Sequence, residues 1–183
     1  MLFDKQDTQG MLDSLHKFDV KKGDFIFVKG GVPHAIGEGC FLCELQEPTD
    51  LMVIPEIMTP SGNVLKEVKL HGGIGFDKMF DIFKYHGMSV EDTKKAYFST
   101  PKKINENFEI IVDESITDKF RFSKVNVNGK YEHIIDSYGI LIVTDGEIIL
   151  NGISLKAGDR VFISERERNL IFQGSGEAFI CQP

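Results

Sequence analysis

Residues 20–28, VKKGDFIFV, and residues 155–163, LKAGDRVFI, are two copies of one pattern, and this repeat decides the fold. In each copy, a Gly-Asp pair precedes a short apolar stretch. Glycine gives the backbone the freedom that a tight turn needs, and an aspartate can accept hydrogen bonds from nearby backbone N–H groups before a strand begins. The repeat therefore predicts two copies of one β-unit.

The two copies differ in their polar residues. Extended without gaps, the match places His34 opposite Asn169 and Glu44 opposite Phe179. The first copy thus keeps polar groups at positions where the second copy has replaced them. We expect the second β-unit to be structural and any functional residues to lie in the first.

Short apolar stretches alternate with Gly, Asn and Asp turns from residue 108 onward, which is typical of a β-sandwich or barrel. Two stretches near the N-terminus, FLCELQ (41–46) and LMVI (51–54), also have strand character. Between them and residue 108, GFDKMFDIFKY carries apolar side chains on one helical face, and SVEDTKKAYF starts with Ser89 and has Asp92 three residues on, a variant of the helix capping box. The sequence predicts a mainly β fold of jelly-roll or β-sandwich units with a small helical insertion.

Three segments follow from this pattern. Residues 1–74 are predicted to form a partial β-unit that carries His34 and Glu44. Residues 75–107 are predicted to form the helical insertion. Residues 108–183 are predicted to form a C-terminal β-unit that lacks the two polar residues of the first.

Composition narrows the classes of partner. The chain has 183 residues and a formal net charge of −7, and an acidic surface repels nucleic acids and anionic membranes. The opening MLFDKQDTQG lacks the basic start and apolar core of a signal peptide. No apolar run approaches the roughly 20 residues that span a bilayer. We expect a cytoplasmic protein.

Three cysteines are present, two of them in a C-x-x-C pair, Cys40 and Cys43. If FLCELQ is a strand, these two side chains point to opposite faces. Buried thiols are therefore the preferred interpretation, and a redox or zinc role is the alternative. The odd number suits a reducing compartment.

Residues 30–46, GGVPHAIGEGCFLCELQ, place one histidine among glycines and one glutamate within an apolar stretch. His34 is either a metal ligand at the rim of a barrel or a turn histidine bonded to backbone. Glu44 faces either a pocket or solvent, because a carboxylate in an apolar strand is costly elsewhere.

The stretch from Lys21 to Asp50 resembles the class I mannose-6-phosphate isomerases, zinc-dependent enzymes of the cupin superfamily. The similarity continues through TPSGNVL and GIGFDKMFDIF, and the chain resembles the C-terminal portion of such an enzyme. The resemblance implies a cupin-like fold and the interconversion of mannose 6-phosphate and fructose 6-phosphate. In that aldose–ketose reaction, zinc polarises the sugar oxygens while an acid/base group moves a proton between adjacent carbons.

The resemblance also implies roles for particular residues. His34 matches a zinc ligand, and Glu44 matches a catalytic acidic residue of the sugar pocket. Asp50 matches an aspartate implied to bind substrate. Lys66 is a weak candidate for contacting the sugar phosphate.

Two departures from the family pattern matter. The family supplies its other zinc ligands from a Gln-x-His pair and a glutamate, and the 33 residues before His34 contain no Gln-x-His. The position of the family's catalytic arginine is Ile54, and Lys66 or Lys69 cannot reproduce bidentate binding by arginine. We expect an isomerase-like protein that is incomplete or inactive as this chain alone.

Three hypotheses about the function stay open. The first is an isomerase completed by an N-terminal partner chain. The second is a non-catalytic cupin-type module that binds sugar or sugar phosphate, or a degenerate remnant. The third is a homo-oligomer that covers open strand edges, since exposed edges invite pairing.

The other histidines and the charged stretch at residues 164–169 are predicted to occupy ordinary structural positions without a catalytic or binding role. His71, beside glycines, is expected to be a loop histidine, although it could line a cavity. His133 is expected to be a surface-strand residue. Residues 164–169, SERERN, are expected to form a solvated charged turn rather than a phosphate site.

Overall fold

A computed structural model describes residues 1–46 and 52–183. The chain divides into two compact units, Met1–Phe98 and Ser99–Pro183. Strands predominate, the sheets are antiparallel and the helices are short, so the predicted mainly β, cupin-like fold with a small helical insertion is confirmed. The three-segment division at residues 74 and 107 stays a prediction.

The first unit contains the helices, whose bounds are α1 Thr8–Asp13, α2 Glu67–His71, α3 Phe76–Ile82 and α4 Val90–Tyr97. Strand β1, Phe25–Ile26, pairs with β2, Phe98–Ser99. Helix α4 begins where the sequence predicts it, because the Ser89 hydroxyl accepts the Asp92 backbone N–H at 3.0 Å. Both helices predicted for the insertion, α3 and α4, are confirmed. None of the helices in the described ranges is long and apolar enough to cross a membrane.

Two strand predictions in the first unit are wrong. Residues 41–46 and 52–54 form no strand, although both stretches are apolar. A strand needs a neighbour for its backbone hydrogen bonds, and periodicity does not reveal whether that neighbour is present. Residue 51 lies outside the described residues.

The second unit is a seven-stranded antiparallel sheet with the order β3-β4-β5-β9-β6-β7, in which β8 also pairs with β6. Its strands are β3 Lys102–Lys103, β4 Phe108–Val112, β5 Arg121–Ile134, β6 Gly139–Leu150, β7 Ile153–Lys156, β8 Arg160–Ile163 and β9 Asn169–Gln182. The last is one continuous strand where the sequence suggested two. Strand β7 was not anticipated.

Strand β9 organises this sheet because it pairs with β5 along its whole length and with β6 on its other side. Alternate side chains of these strands form the core. Its fully buried members include Val125, Leu141, Leu170, Phe172 and Ala178. Strands β6 and β7 are joined at Asn151, whose φ of 47° is followed by a glycine at 84°, as in the Asn-Gly turns that suit hairpins.

The repeated turn adopts the same local structure in both copies. Asp24 accepts the Lys21 backbone N–H at 3.0 Å, and Asp159 accepts the Lys156 backbone N–H at 2.8 Å. The glycine before each aspartate has a φ of 92° in the first copy and 95° in the second, which favours glycine. Strands β1 and β8 follow directly. The roles predicted for glycine and aspartate in this turn are confirmed.

Candidate functional site

The segment that carries His34 is attached to the first unit at Gly31. The Gly31 carbonyl accepts the Lys84 backbone N–H at 2.8 Å. Gly31 has a φ of 81°, and a Cβ there would lie 2.5 Å from the Ile82 carbonyl oxygen. Only glycine allows this close approach, so the GGVPH stretch is held beside the end of α3 by its second glycine.

The ring of His34 is exposed and held in one tautomer. Its Nδ1 lies 2.9 Å from the Val32 carbonyl oxygen. A carbonyl only accepts hydrogen bonds, so Nδ1 carries the proton and the lone pair of the neutral ring lies on Nε2. Metal-binding histidines commonly donate one ring N–H to a carbonyl in this way. His34 is therefore oriented as a ligand that would bind through Nε2.

The other residues implied by the resemblance do not gather around His34 in the described structure. Glu44 is exposed in a segment without secondary structure, and it makes no ion pair with the described residues. Lys66 is an exposed residue that precedes the first turn of α2. Asp50 lies outside the described residues. The roles of His34, Glu44, Asp50 and Lys66 stay predictions.

The zinc expected from the resemblance does not fit the residues that the structure describes. A zinc site takes three or four protein ligands within about 2.3 Å of the metal. Within residues 1–46 and 52–183, no three His, Cys, Asp or Glu side chains come together to hold a metal ion. His34 offers one suitable nitrogen, and no chemical step through zinc can be derived from this arrangement.

Ile54 occupies the position where the resemblance implies an arginine. Its backbone N–H donates to the Leu70 carbonyl at 2.8 Å, and its side chain is half-buried. The residue therefore ties the chain to α2 and presents no charge to a sugar phosphate.

His71 is a finding that sequence reasoning missed. It is the last residue of α2 rather than a loop histidine, and only 7% of it is exposed. Its Nδ1 accepts the backbone N–H groups of Gly73 and Gly75 at 3.0 and 3.2 Å. Nδ1 is thus unprotonated, and Nε2–H lies 3.4 Å from a Glu67 carboxylate oxygen. Nδ1 thus holds the glycine loop that follows α2, while Nε2 faces Glu67 at the start of the helix. The spacing H-G-G-x-G is the signal that could have indicated the contact of Nδ1 with the loop.

The prediction of buried thiols at the C-x-x-C pair is wrong. Cys40 and Cys43 are both exposed, because residues 41–46 do not enter a sheet. Desolvation nevertheless raises the pKa of the Cys43 thiol, which lowers its thiolate fraction at neutral pH. That shift argues against Cys43 as a redox nucleophile.

One cavity in the second unit has a volume of about 240 Å³ and is lined largely by charged residues. Two of them, Arg121 and Asp136, form a bidentate pair at 2.7 and 2.8 Å. These hydrogen bonds lower the pKa of Asp136 to about 2. Glu114 and Asp118 also line the cavity, so Arg121 is already neutralised and the site does not favour a phosphate.

His133 is more enclosed than predicted. It lies in β5, stacks on Phe108 with ring centroids 4.1 Å apart, and its Nδ1 is 3.3 Å from the Tyr131 hydroxyl. Desolvation lowers its pKa. The aromatic packing makes it part of the wall of the core rather than a surface residue. The charged turn 164–169 is exposed, as predicted.

Comparison with known proteins finds solved structures with a similar fold. No protein-family model and no curated protein matches the chain. Among solved structures, the crystal structure of mannose 6-phosphate isomerase from Salmonella typhimurium, bound to its substrate fructose 6-phosphate and to zinc, matches with a TM-score of 0.50 and 19% identity. A variant of the same phosphomannose isomerase gives the same TM-score and identity.

The match covers 58% of this chain and 27% of the Salmonella protein. The chain therefore spans about a quarter of the length of the structures that it resembles. At this level of identity the likeness shows a shared cupin-like fold and nothing finer.

Proposed function

We propose that this chain is a mannose-6-phosphate isomerase-like protein, equivalent to the C-terminal portion of such an enzyme, that does not isomerise sugar phosphate by itself. The proposal rests on one combination of observations. The fold is similar to that of phosphomannose isomerase, and the hydrogen bond at Nδ1 of His34 leaves Nε2 available to bind a metal. Sugar phosphate is the proposed substrate class, zinc the proposed metal and the cytoplasm the proposed location.

The state of the candidate residues supports inactivity of the chain alone. His34 and Glu44 are exposed, and Ile54 supplies no positive charge. Aldose–ketose isomerisation needs a group that stabilises the enediolate charge together with a placed acid/base. We propose that a partner chain supplies the remaining ligands of the zinc site and that His34 and Glu44 become enclosed when it binds.

The test is turnover of mannose 6-phosphate by the purified chain with zinc present, measured as formation of fructose 6-phosphate. The expected result is no turnover above a control that contains zinc and buffer. Turnover that disappears in Glu44→Gln would overturn the proposed inactivity and would assign the full reaction to this chain.

A second candidate function is a non-catalytic module that binds sugar or sugar phosphate, and Ile54 favours it. Titration calorimetry with mannose 6-phosphate distinguishes the two. Binding without turnover, weakened by Lys66→Ala, supports the binding module. No binding leaves the partner-dependent isomerase as the account.

A further inference from the structure

Residues 41–46 form no strand, but they have the sequence of one and no partner strand among the described residues. The sequence FLCELQ has strand character, and its backbone contains no turn, bend or helix. In the described part of the chain these six residues make no backbone hydrogen bond. Phe41 is 99% exposed and Leu42 is 45% exposed. Unpaired backbone groups beside exposed apolar side chains form a template for strand addition.

The internal repeat shows what such a strand does when it has neighbours. The match of residues 20–28 to residues 155–163, an offset of 135, places residues 41–46 opposite residues 176–181. Those residues belong to β9, which pairs on both sides, and Phe179 there is only 8% exposed. One copy of the unit therefore has a paired central strand, and the matching segment of the other copy pairs with none of the described residues.

We propose that residues 40–46 of two copies of this chain pair with each other as antiparallel strands, with Cys43 facing Cys43 across a twofold axis. In this register all seven residues are paired within the segment. Phe41 faces Leu45, so one surface of the ribbon carries only Phe41, Cys43 and Leu45 from each copy. The opposite surface carries Cys40, Leu42, Glu44 and Gln46.

Other registers fit less well. A shift of one residue places Phe41 opposite Glu44 and mixes apolar and charged side chains on each face. A shift of two residues toward the C-terminus sets Glu44 directly opposite Glu44, which is repulsive. The register centred on Cys43 thus pairs Phe41 with Leu45 and keeps the two Glu44 carboxylates apart, and a twofold axis closes the assembly at a dimer. A two-stranded ribbon is only marginally stable, so the dimer is weak and forms with rising protein concentration.

The register gives a sharp test, because only one of the two neighbouring cysteines meets its own copy. The full chain carrying Cys181→Ser is oxidised with diamide, which accepts two hydrogens from two thiols as the disulfide forms. We expect a disulfide-linked dimer that persists in Cys40→Ser and is lost in Cys43→Ser. Equal cross-linking through Cys40 and Cys43 would indicate random collision and would overturn the proposal.

Sedimentation equilibrium tests the association without oxidation. We expect Phe41→Asp to weaken dimerisation at least tenfold and Ile36→Asp, an exposed change outside the segment, to leave it unchanged. A monomer at all concentrations would overturn the proposal. Slow amide exchange at residues 41–46 in that monomer would show that the segment pairs within its own chain.

Discussion

Asp24 and Asp159 make the same hydrogen bond in two copies of one turn, each accepting the backbone N–H of the lysine three residues earlier, at 3.0 and 2.8 Å. The two copies nevertheless continue differently. After Asp159 the chain enters β8, which pairs with β6, and after Asp24 it leads through β1 into a segment that holds His34 and residues 41–46, which form no strand. The repeated turn marks a common unit, and residues 41–46 mark where the two copies differ.

Removing the turn acceptor should destabilise the second unit. We predict that Asp159→Ala lowers the free energy of unfolding by about 1 kcal/mol, the usual net contribution of one hydrogen bond. Urea denaturation measures the change. Asp159→Asn is the matched control, because its amide oxygen can still accept the Lys156 N–H, and a loss as large as that of the alanine variant would contradict the assignment.

The Arg121–Asp136 pair predicts an acid-dependent contribution to stability. The pKa of Asp136 is about 2 in the folded chain against an ordinary value of 3.8. The pair therefore stabilises the fold fully above about pH 3.8, and this contribution is lost as pH falls toward 2. Carboxyl NMR titration of Asp136 should give the low midpoint. Arg121→Gln should move that midpoint up toward the ordinary value, and an unchanged midpoint would show that Arg121 is not the cause.

The lowered pKa of His133 predicts a second dependence of the fold's stability on pH, at higher pH than that of Asp136. Desolvation lowers its pKa below 6.5, so the unfolded chain binds more protons than the folded chain as pH falls below that value. Stability from the neutral ring is present above pH 6.5 and decreases as pH falls through the folded pKa. His133→Phe should keep the stacking on Phe108 and flatten stability between pH 7 and 5. A slope as steep in His133→Phe as in the unmodified chain would contradict the assignment.

The glycine loop that follows α2 depends on Nδ1 of His71, which accepts two of its backbone N–H groups. Replacing it by Phe keeps an aromatic ring near Phe76, whose ring centroid lies 5.0 Å away, but leaves two backbone N–H groups without their acceptor. We predict a loss of roughly 1 kcal/mol and faster amide exchange at Gly73. An unchanged amide exchange rate at Gly73 would show that the His71 ring does not hold this N–H group.

Much of the fold could be predicted from local pattern. The Gly-Asp repeat, the capping pair Ser89 and Asp92 and the alternating strands after residue 108 are local features, and the structure confirms them. The strand at residues 41–46 was wrong because pairing depends on a distant neighbour that the segment does not encode. The buried thiols were wrong for the same reason, since burial of Cys40 and Cys43 required that strand.

The candidate site could be predicted only in part. The sequence pointed to His34 through its glycine-rich setting, and the structure adds the tautomer that leaves Nε2 available. It could not reveal that His71 anchors the loop after α2, because that depends on two backbone N–H groups folding back onto the ring. The three-dimensional grouping of ligands is likewise a property of packing, which single residues do not specify.

The central proposal is that His34 is one zinc ligand and that the residues described by the structure, 1–46 and 52–183, do not complete a zinc site with it. Equilibrium dialysis of the purified chain against micromolar zinc, followed by metal analysis, tests it most directly. The account predicts well below one zinc per chain. One zinc per chain, lost in His34→Ala and retained in His86→Ala, would contradict it.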